Sequence, residues 1–305
     1  MSPIESTEPD PSAIGRVPVP PFARLPDPQK LFAARADRFR ALAEGHELAP
    51  YLRFLADLCE AQAAIQQGLP EPDAIDPEAL ARAVEHKMPR IDRNQFVPDA
   101  AFEATLERLL SAADGMTMPA VAREALGRVR GADIDARNLM LQNVMAEAIP
   151  VEALAEHVFI AAALQVHFTR LAAGLDAKTM ESVGDGVCPS CGGAPSSTMV
   201  VHWPPAPGAR YCACALCGTL WNYVRSKCTL CGSTKKITFQ EIDGNDGVIK
   251  AETCEECRGY MKILNLQKER TLDPIADDVA SLGLDLLVRE TGFRRGGINP
   301  FLIGY

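Results

Sequence analysis

Eight of the ten cysteines stand in four Cys-x-x-Cys pairs, and the pairs recur with a period of 40 residues. Cys188/Cys191 and Cys214/Cys217 form one set, Cys228/Cys231 and Cys254/Cys257 the next, with 22 residues between the pairs of each set. Each set offers four thiolates to one ion. A Cys-x-x-Cys turn places two sulfurs on one side of a tight loop. A glycine after the second cysteine lets the chain turn with positive φ, so that backbone N–H groups can face the sulfurs. Gly192, Gly218 and Gly232 hold that position, whereas the fourth pair has Arg258 there and Gly259 one residue later.

Tetrahedral sulfur ligation suits Zn²⁺ or a single iron, and the spacing does not choose between them. Four thiolates close the coordination shell and leave no place for water or substrate, which argues against a hydrolytic centre. In so short a unit the metal stands in for a hydrophobic core. A Cys-x-x-Cys redox relay would explain neither the equal loop lengths nor the pairing of the turns. Cys212 falls where the repeat puts Glu252, and it reads as a strand residue rather than a ligand; Cys59, among apolar neighbours on a helix, reads as a buried, inert thiol. The histidines, His46, His86, His157, His167 and His202, form no metal-binding pattern. Asp277-Asp278 reads as a complement to a helix dipole, and Arg294-Arg295 as a solvated charge pair.

Around these residues the pattern changes once. Residues 1–26 carry seven prolines and no periodicity and read as a flexible lead-in. Residues 27–181 read as an α-helical domain of six to eight helices. Leu31, Phe32, Ala36, Phe39 and Leu42 recur at helical spacing, Pro50 opens a second helix, and Asp76-Pro77 is a capped start. The last helix runs through Val158, Ala162, Leu164, Val166 and Phe168. Residues 182–271 hold the metal-binding region, each unit a knuckle, a hairpin and a knuckle. Thr198–Trp203 returns through Ala209–Cys212, and Lys236–Ile242 returns through Val248–Glu252 around the turn 243–247. Residues 272–305 form a C-terminal helix and tail, with Asp273-Pro274 capping a helix that reaches Glu290.

Composition bounds the partners. Of 305 residues, 47% are hydrophobic and the net charge is −9. Up to residue 180 there are 18 basic and 26 acidic residues, and beyond it 13 and 14. Neither part has the basic surplus that phosphate contacts require, so no nucleic acid is expected as a partner. No run of about 18 uninterrupted apolar residues exists, so direct membrane insertion is not expected. The start lacks a secretory pattern, which points to a cytoplasmic location, where paired cysteines more often hold metal than form disulfides.

The chain resembles the formate dehydrogenase accessory protein FdhE family. The resemblance rests on Cys188-Pro-Ser-Cys-Gly with Pro195-Ser-Ser-Thr-Met-Val, on Arg225-Ser-Lys-Cys-Thr-Leu-Cys, and on Ile249-Lys-Ala-Glu-Thr-Cys-Glu-Glu-Cys-Arg-Gly-Tyr-Met-Lys-Ile-Leu. Ala276-Asp-Asp-Val-Ala-Ser-Leu, Asn299-Pro-Phe-Leu and, upstream, Ala34-Arg-Ala-Asp-Arg-Phe-Arg-Ala-Leu-Ala and Tyr51-Leu-Arg-Phe add to it. The resemblance implies an α+β chain: an N-terminal α-helical domain, two tandem rubredoxin-like (zinc-ribbon-like) metal modules and a C-terminal helix. It implies a cytoplasmic, non-enzymatic accessory factor needed for respiratory formate dehydrogenase activity, which binds the catalytic subunit before export. It also favours iron over zinc in the two four-cysteine sites. An iron-thiolate redox protein, protecting or reducing an immature cofactor, is the alternative, and a zinc-ribbon nucleic-acid module a weaker one.

Overall fold

The computed structural model describes residues 19–244 and 246–302. Seven α-helices fill the N-terminal part: α1 (Pro28–Leu42), α2 (Ala49–Ala64), α3 (Pro77–Glu85), α4 (Ala100–Asp114), α5 (Ala120–Gly131), α6 (Ile134–Met145) and α7 (Leu154–Ala173). Aspartates start four of them. Asp27, Asp76, Asp99 and Asp133 each accept a hydrogen bond from a backbone N–H of the following first turn. Every residue of α7 from Glu156 to Thr169 is buried, and α1, α2, α4, α5 and α6 all pack against it. Val151–Ala173 is long and apolar enough to cross a bilayer by length and composition. Its apolar surface is instead covered by the surrounding helices, as in a bundle's central helix.

The rest of the chain builds one sheet from β1 (Ala23–Arg24), β2 (Pro195–Val200), β3 (Arg210–Cys214), β4 (Leu220–Tyr223), β5 (Ile237–Gln240), β6 (Ile249–Cys254), β7 (Gly259–Asn265) and β8 (Arg294–Arg295). The strand order is β1-β4-β3-β2-β7-β6-β5, with β8 on β7. The 40-residue repeat is visible in it. β2, β3 and β4 form one antiparallel unit and β5, β6 and β7 the next. The units join where β2 and β7 pair in parallel, Thr198 opposite Ile263 and Val200 opposite Asn265.

The α+β arrangement agrees with the sequence reading, with three differences of detail. Each unit has a third strand, β4 or β7, beyond the expected hairpin. β7 carries Lys262 in its middle, and a charge at a buried strand position hides the pattern. The expected C-terminal helix is two, α8 (Ala276–Ala280) and α9 (Leu282–Glu290), broken at Ser281, whose hydroxyl donates to the Asp277 carbonyl at 2.6 Å. Asp273 does cap the first, accepting from Ile275 N and Ala276 N at 2.9 and 2.8 Å. Of the expected lead-in, residues 1–18 lie outside the described residues, as does Asn245 of the second turn. Residues 21–24 are held to the sheet: β1 pairs with β4, and Tyr211 Oη donates to the Pro21 carbonyl at 2.6 Å.

The C-terminal segment binds both layers. Arg35 bonds Asp273 and Arg38 bonds Asp277, which ties α1 to α8. Phe301 is fully buried in the helical core, and its carbonyl accepts from Tyr51 Oη at 2.7 Å.

Candidate metal centres

The four knuckles share one backbone form. Gly192, Gly218 and Gly232 have φ of 79°, 72° and 72°, and Arg258 takes the same left-handed region at 56°. In the first three, the glycine N–H bonds the carbonyl of the first cysteine at 2.9 to 3.2 Å. A non-glycine residue in that region is strained, so Arg258 needs support from its neighbours. Its guanidinium lies 4.1 Å from the Phe293 ring centroid, donates to the Thr291 carbonyl at 3.2 Å and pairs with Glu255. Sequence spacing alone marked Arg258 as a departure; the backbone makes it an equivalent of the glycines.

The knuckles bring the eight cysteines together as two sets, Cys188, Cys191, Cys214 and Cys217, then Cys228, Cys231, Cys254 and Cys257. In each set all four Sγ atoms lie within 4.8 Å of one another. Across the knuckles, Sγ atoms stand 3.4 Å (Cys191–Cys214) and 3.6 Å (Cys188–Cys217) apart in the first set and 3.7 Å (Cys231–Cys254) and 3.9 Å (Cys228–Cys257) in the second. A metal–sulfur bond of about 2.3 Å in a tetrahedron sets sulfurs roughly 3.8 Å apart. Both sets therefore fit one tetrahedral ion each. None of the ten cysteines is in a disulfide.

The first set lies between the sheet and the helices. Arg90 N and Ile91 N bond the carbonyls of Pro189 and Ser190 at 3.1 and 2.7 Å, and Gln165 Nε2 bonds the Ala215 carbonyl at 2.9 Å. Leu31 and Pro26 lie against Gly218, where an added Cβ would come within 2.8 Å of Leu31 Cδ2. Cys217 Sγ sits 3.2 Å from Thr219 Oγ1, which donates to Ser190 Oγ at 2.8 Å. Without a cation, burial pushes Cys188 far above the ordinary thiol range. Cys214 is held well below it by hydrogen bonds from Cys188, Cys191 and Cys217. So many buried thiolates cannot coexist without a compensating positive charge. Sequence reasoning had no signal for Ser190, Thr219 or the 90–91 clamp, since each is close only through the fold.

The other candidates resolve into packing. Cys212 lies in β3 between Thr198 and Trp221, and Cys59 in α2; burial pushes both thiols up to about 12. Glu252, at the repeat position of Cys212, pairs with Arg210 at 2.9 Å. His157 bonds the Ala153 carbonyl at 2.6 Å, and burial lowers the pKa of His167 among Phe96, Phe102 and Phe168. Asp277 and Asp278 stand in the first turn of α8, as the dipole reading has it, but both are buried and ion-paired, and Arg295 departs from the solvated-pair reading. Asp278, Asp285 and Lys262 are fully buried and meet Arg295: Arg295 contacts the two aspartates at 2.6 and 2.5 Å, and Lys262 contacts Asp278 at 3.3 Å and also pairs with Asp285. The sequence places these four charges on four different elements, β7, α8, α9 and β8, so no local pattern announces them. A groove of about 550 Å³ opens among Leu48, Tyr51, Phe54, Val121, Val151 and Leu302, and no cysteine lines it.

Comparison with known proteins agrees with this geometry. Residues 20–185 match the family model described as FdhE, N-terminal, residues 187–225 the FdhE central domain, and residues 226–302 the FdhE C-terminal domain. The boundary at 225/226 gives each four-cysteine set its own model. The chain is 45% identical over 99% of both chains to the protein FdhE homolog of Rhizobium meliloti (strain 1021). It is 34% identical over 93% of both to that of Pseudomonas aeruginosa PAO1. In structure it is similar to the crystal structure of the FdhE protein from Pseudomonas aeruginosa, with a TM-score of 0.83 and 33% identity, over 93% of this chain and 99% of that one.

Proposed function

The chain belongs to the FdhE family, and from that premise we propose that it is a formate dehydrogenase accessory factor, a non-catalytic protein that binds the enzyme's catalytic subunit in the cytoplasm before export. The observation that carries the reading, beside the family, is the pair of closed four-thiolate sites. We assign Cys188, Cys191, Cys214 and Cys217 to one ion and Cys228, Cys231, Cys254 and Cys257 to the other. A filled tetrahedral shell supplies no open position for a substrate, so the ions shape a surface instead. Each ion fixes two knuckles and with them the neighbouring strands: one knuckle leads into β2 or β5, and the other turns β3 into β4 or β6 into β7. Iron is the favoured metal, from the rubredoxin-like resemblance, with zinc as the alternative. The closed thiolate sites, the first of them packed in the core of the helical layer, suit docking rather than turnover.

A second reading, one-electron transfer through iron, draws on the solvent exposure of Cys231 and Cys257. It requires a reversible iron couple, and zinc alone in protein isolated from its host rules it out. The test of the main reading is genetic. Deleting the gene should abolish formate oxidation by the host's respiratory enzyme, and a plasmid copy should restore it. Formate oxidation that persists in a host with no second family member would refute the accessory role.

A further inference from the structure

The repeat makes the two sites equal in sequence; the fold makes them unequal in access. Cys188, Cys191 and Cys217 are fully buried and Cys214 is 4% exposed. They belong to the same core as α1, α2 and α7, and the 90–91 segment and Gln165 close over their knuckles. In the second set Cys228 and Cys254 are buried, but Cys231 and Cys257 are exposed, and the whole run Glu255–Arg258 faces solvent. No helix of the N-terminal layer is hydrogen-bonded to either of its knuckles among the described residues.

We infer that the second set is an exchangeable metal site, which trades its ion with thiols and soft chelators in solution through Cys231 and Cys257, whereas the first is a closed structural site. The inference rests on the metal assignment made above. At a filled four-thiolate centre an incoming ligand must reach the ion or displace a sulfur. An exposed thiolate is the one that can be displaced and recaptured, and it is also the reactive nucleophile. At the first set the same approach requires the helical layer to lift from the sheet, so exchange there waits on local unfolding. The chain then holds one ion as part of its core and a second in equilibrium with the thiol pool around it.

The experiment uses the full chain loaded with two equivalents of zinc and challenged with excess 4-(2-pyridylazo)resorcinol, the released ion being followed by colour. A parallel sample is pulsed with iodoacetamide and its cysteine peptides are quantified by mass spectrometry. One equivalent should leave in a fast phase and the other at least about tenfold more slowly. Cys231 and Cys257 should be alkylated during the fast phase, with Cys188, Cys191, Cys214 and Cys217 protected. Cys231→Ser should remove the fast equivalent and leave the slow one with unchanged helical circular dichroism. Release of both ions in one phase, or earlier alkylation of the first set, overturns the inference while leaving metal binding intact. A chain that takes up no metal at either set refutes the metal assignment instead, and this inference with it.

Discussion

Replacing Lys262 by Met removes one charge from a closed network. Lys262, Arg295, Asp278 and Asp285 balance two cations against two carboxylates, and Lys262 and both aspartates are fully buried. Burial alone would raise Asp278, but Arg295 and Lys262 overcome it and hold its carboxyl below the ordinary value. Lys262→Met leaves a net negative charge in the same space. The folded protein then keeps an unpaired buried carboxylate or protonates it. Protonating a carboxyl of ordinary pKa, about 3.9, costs roughly 4 kcal/mol at pH 7 and about 3 kcal/mol at pH 6. That range agrees with the roughly 3–5 kcal/mol usual for removing one partner of a buried pair. The sign follows from linkage: the variant's folded state takes up a proton that its unfolded state lacks, so the penalty shrinks by about 1.4 kcal/mol for each unit the pH falls. Urea unfolding of parent and variant at pH 7 and pH 6 reads this directly. Lys262→Met/Asp278→Asn, which restores the balance, should recover most of the pH-dependent part. A Lys262→Met penalty under about 1 kcal/mol, or one that does not change with pH, would refute the charge-balance reasoning.

Other perturbations test other joints. Gly218→Ala puts a Cβ against Leu31 at a left-handed backbone position and should cost about 1–3 kcal/mol, read as a lower thermal midpoint; an unchanged midpoint would mean that α1 is not seated on the first metal site. Cys212→Ser should leave the metal content at two ions per chain by elemental analysis, since Cys212 lies in β3 outside both clusters, and loss of one ion would make it a ligand. Burial pushes Asp277 up to about 6 despite Arg38. Because that value exceeds the unfolded one, this group's contribution favours the folded state at low pH and is lost as pH rises through 4 to 6, with a ceiling of about 3 kcal/mol. Asp277→Asn should therefore flatten the difference in unfolding free energy across that window relative to the parent, and parallel pH profiles would contradict it.

Much of the site was legible because ligand spacing is a local property. The 40-residue period places the eight cysteines in two sets, and the structure brings together the same two sets. The helical half was legible because Asp-capped starts and apolar periodicity are written within a few residues of each other. The rest was hidden for physical reasons. Lys262 breaks the apolar pattern of β7, although its charge is neutralised by Asp278 and Asp285, 16 and 23 positions later. Arg258 looks unlike the knuckle glycines until its φ is known, because its support comes from Phe293 and Thr291 beyond the strand. The parallel joining of β2 to β7 is a non-local choice that neither repeat unit encodes by itself. The unequal exposure of two sets with the same spacing comes from which one the helices cover.

The role as an accessory factor is tested most directly by capture of the catalytic subunit. Purified protein, kept free of oxygen, would be immobilised and presented with its host's formate dehydrogenase catalytic subunit, beside the Cys228→Ser and Cys188→Ser variants. The expected result is retention of the subunit by the parent and loss of retention by variants that lack an ion. Failure of the metal-loaded parent to retain a folded catalytic subunit would contradict the proposed role.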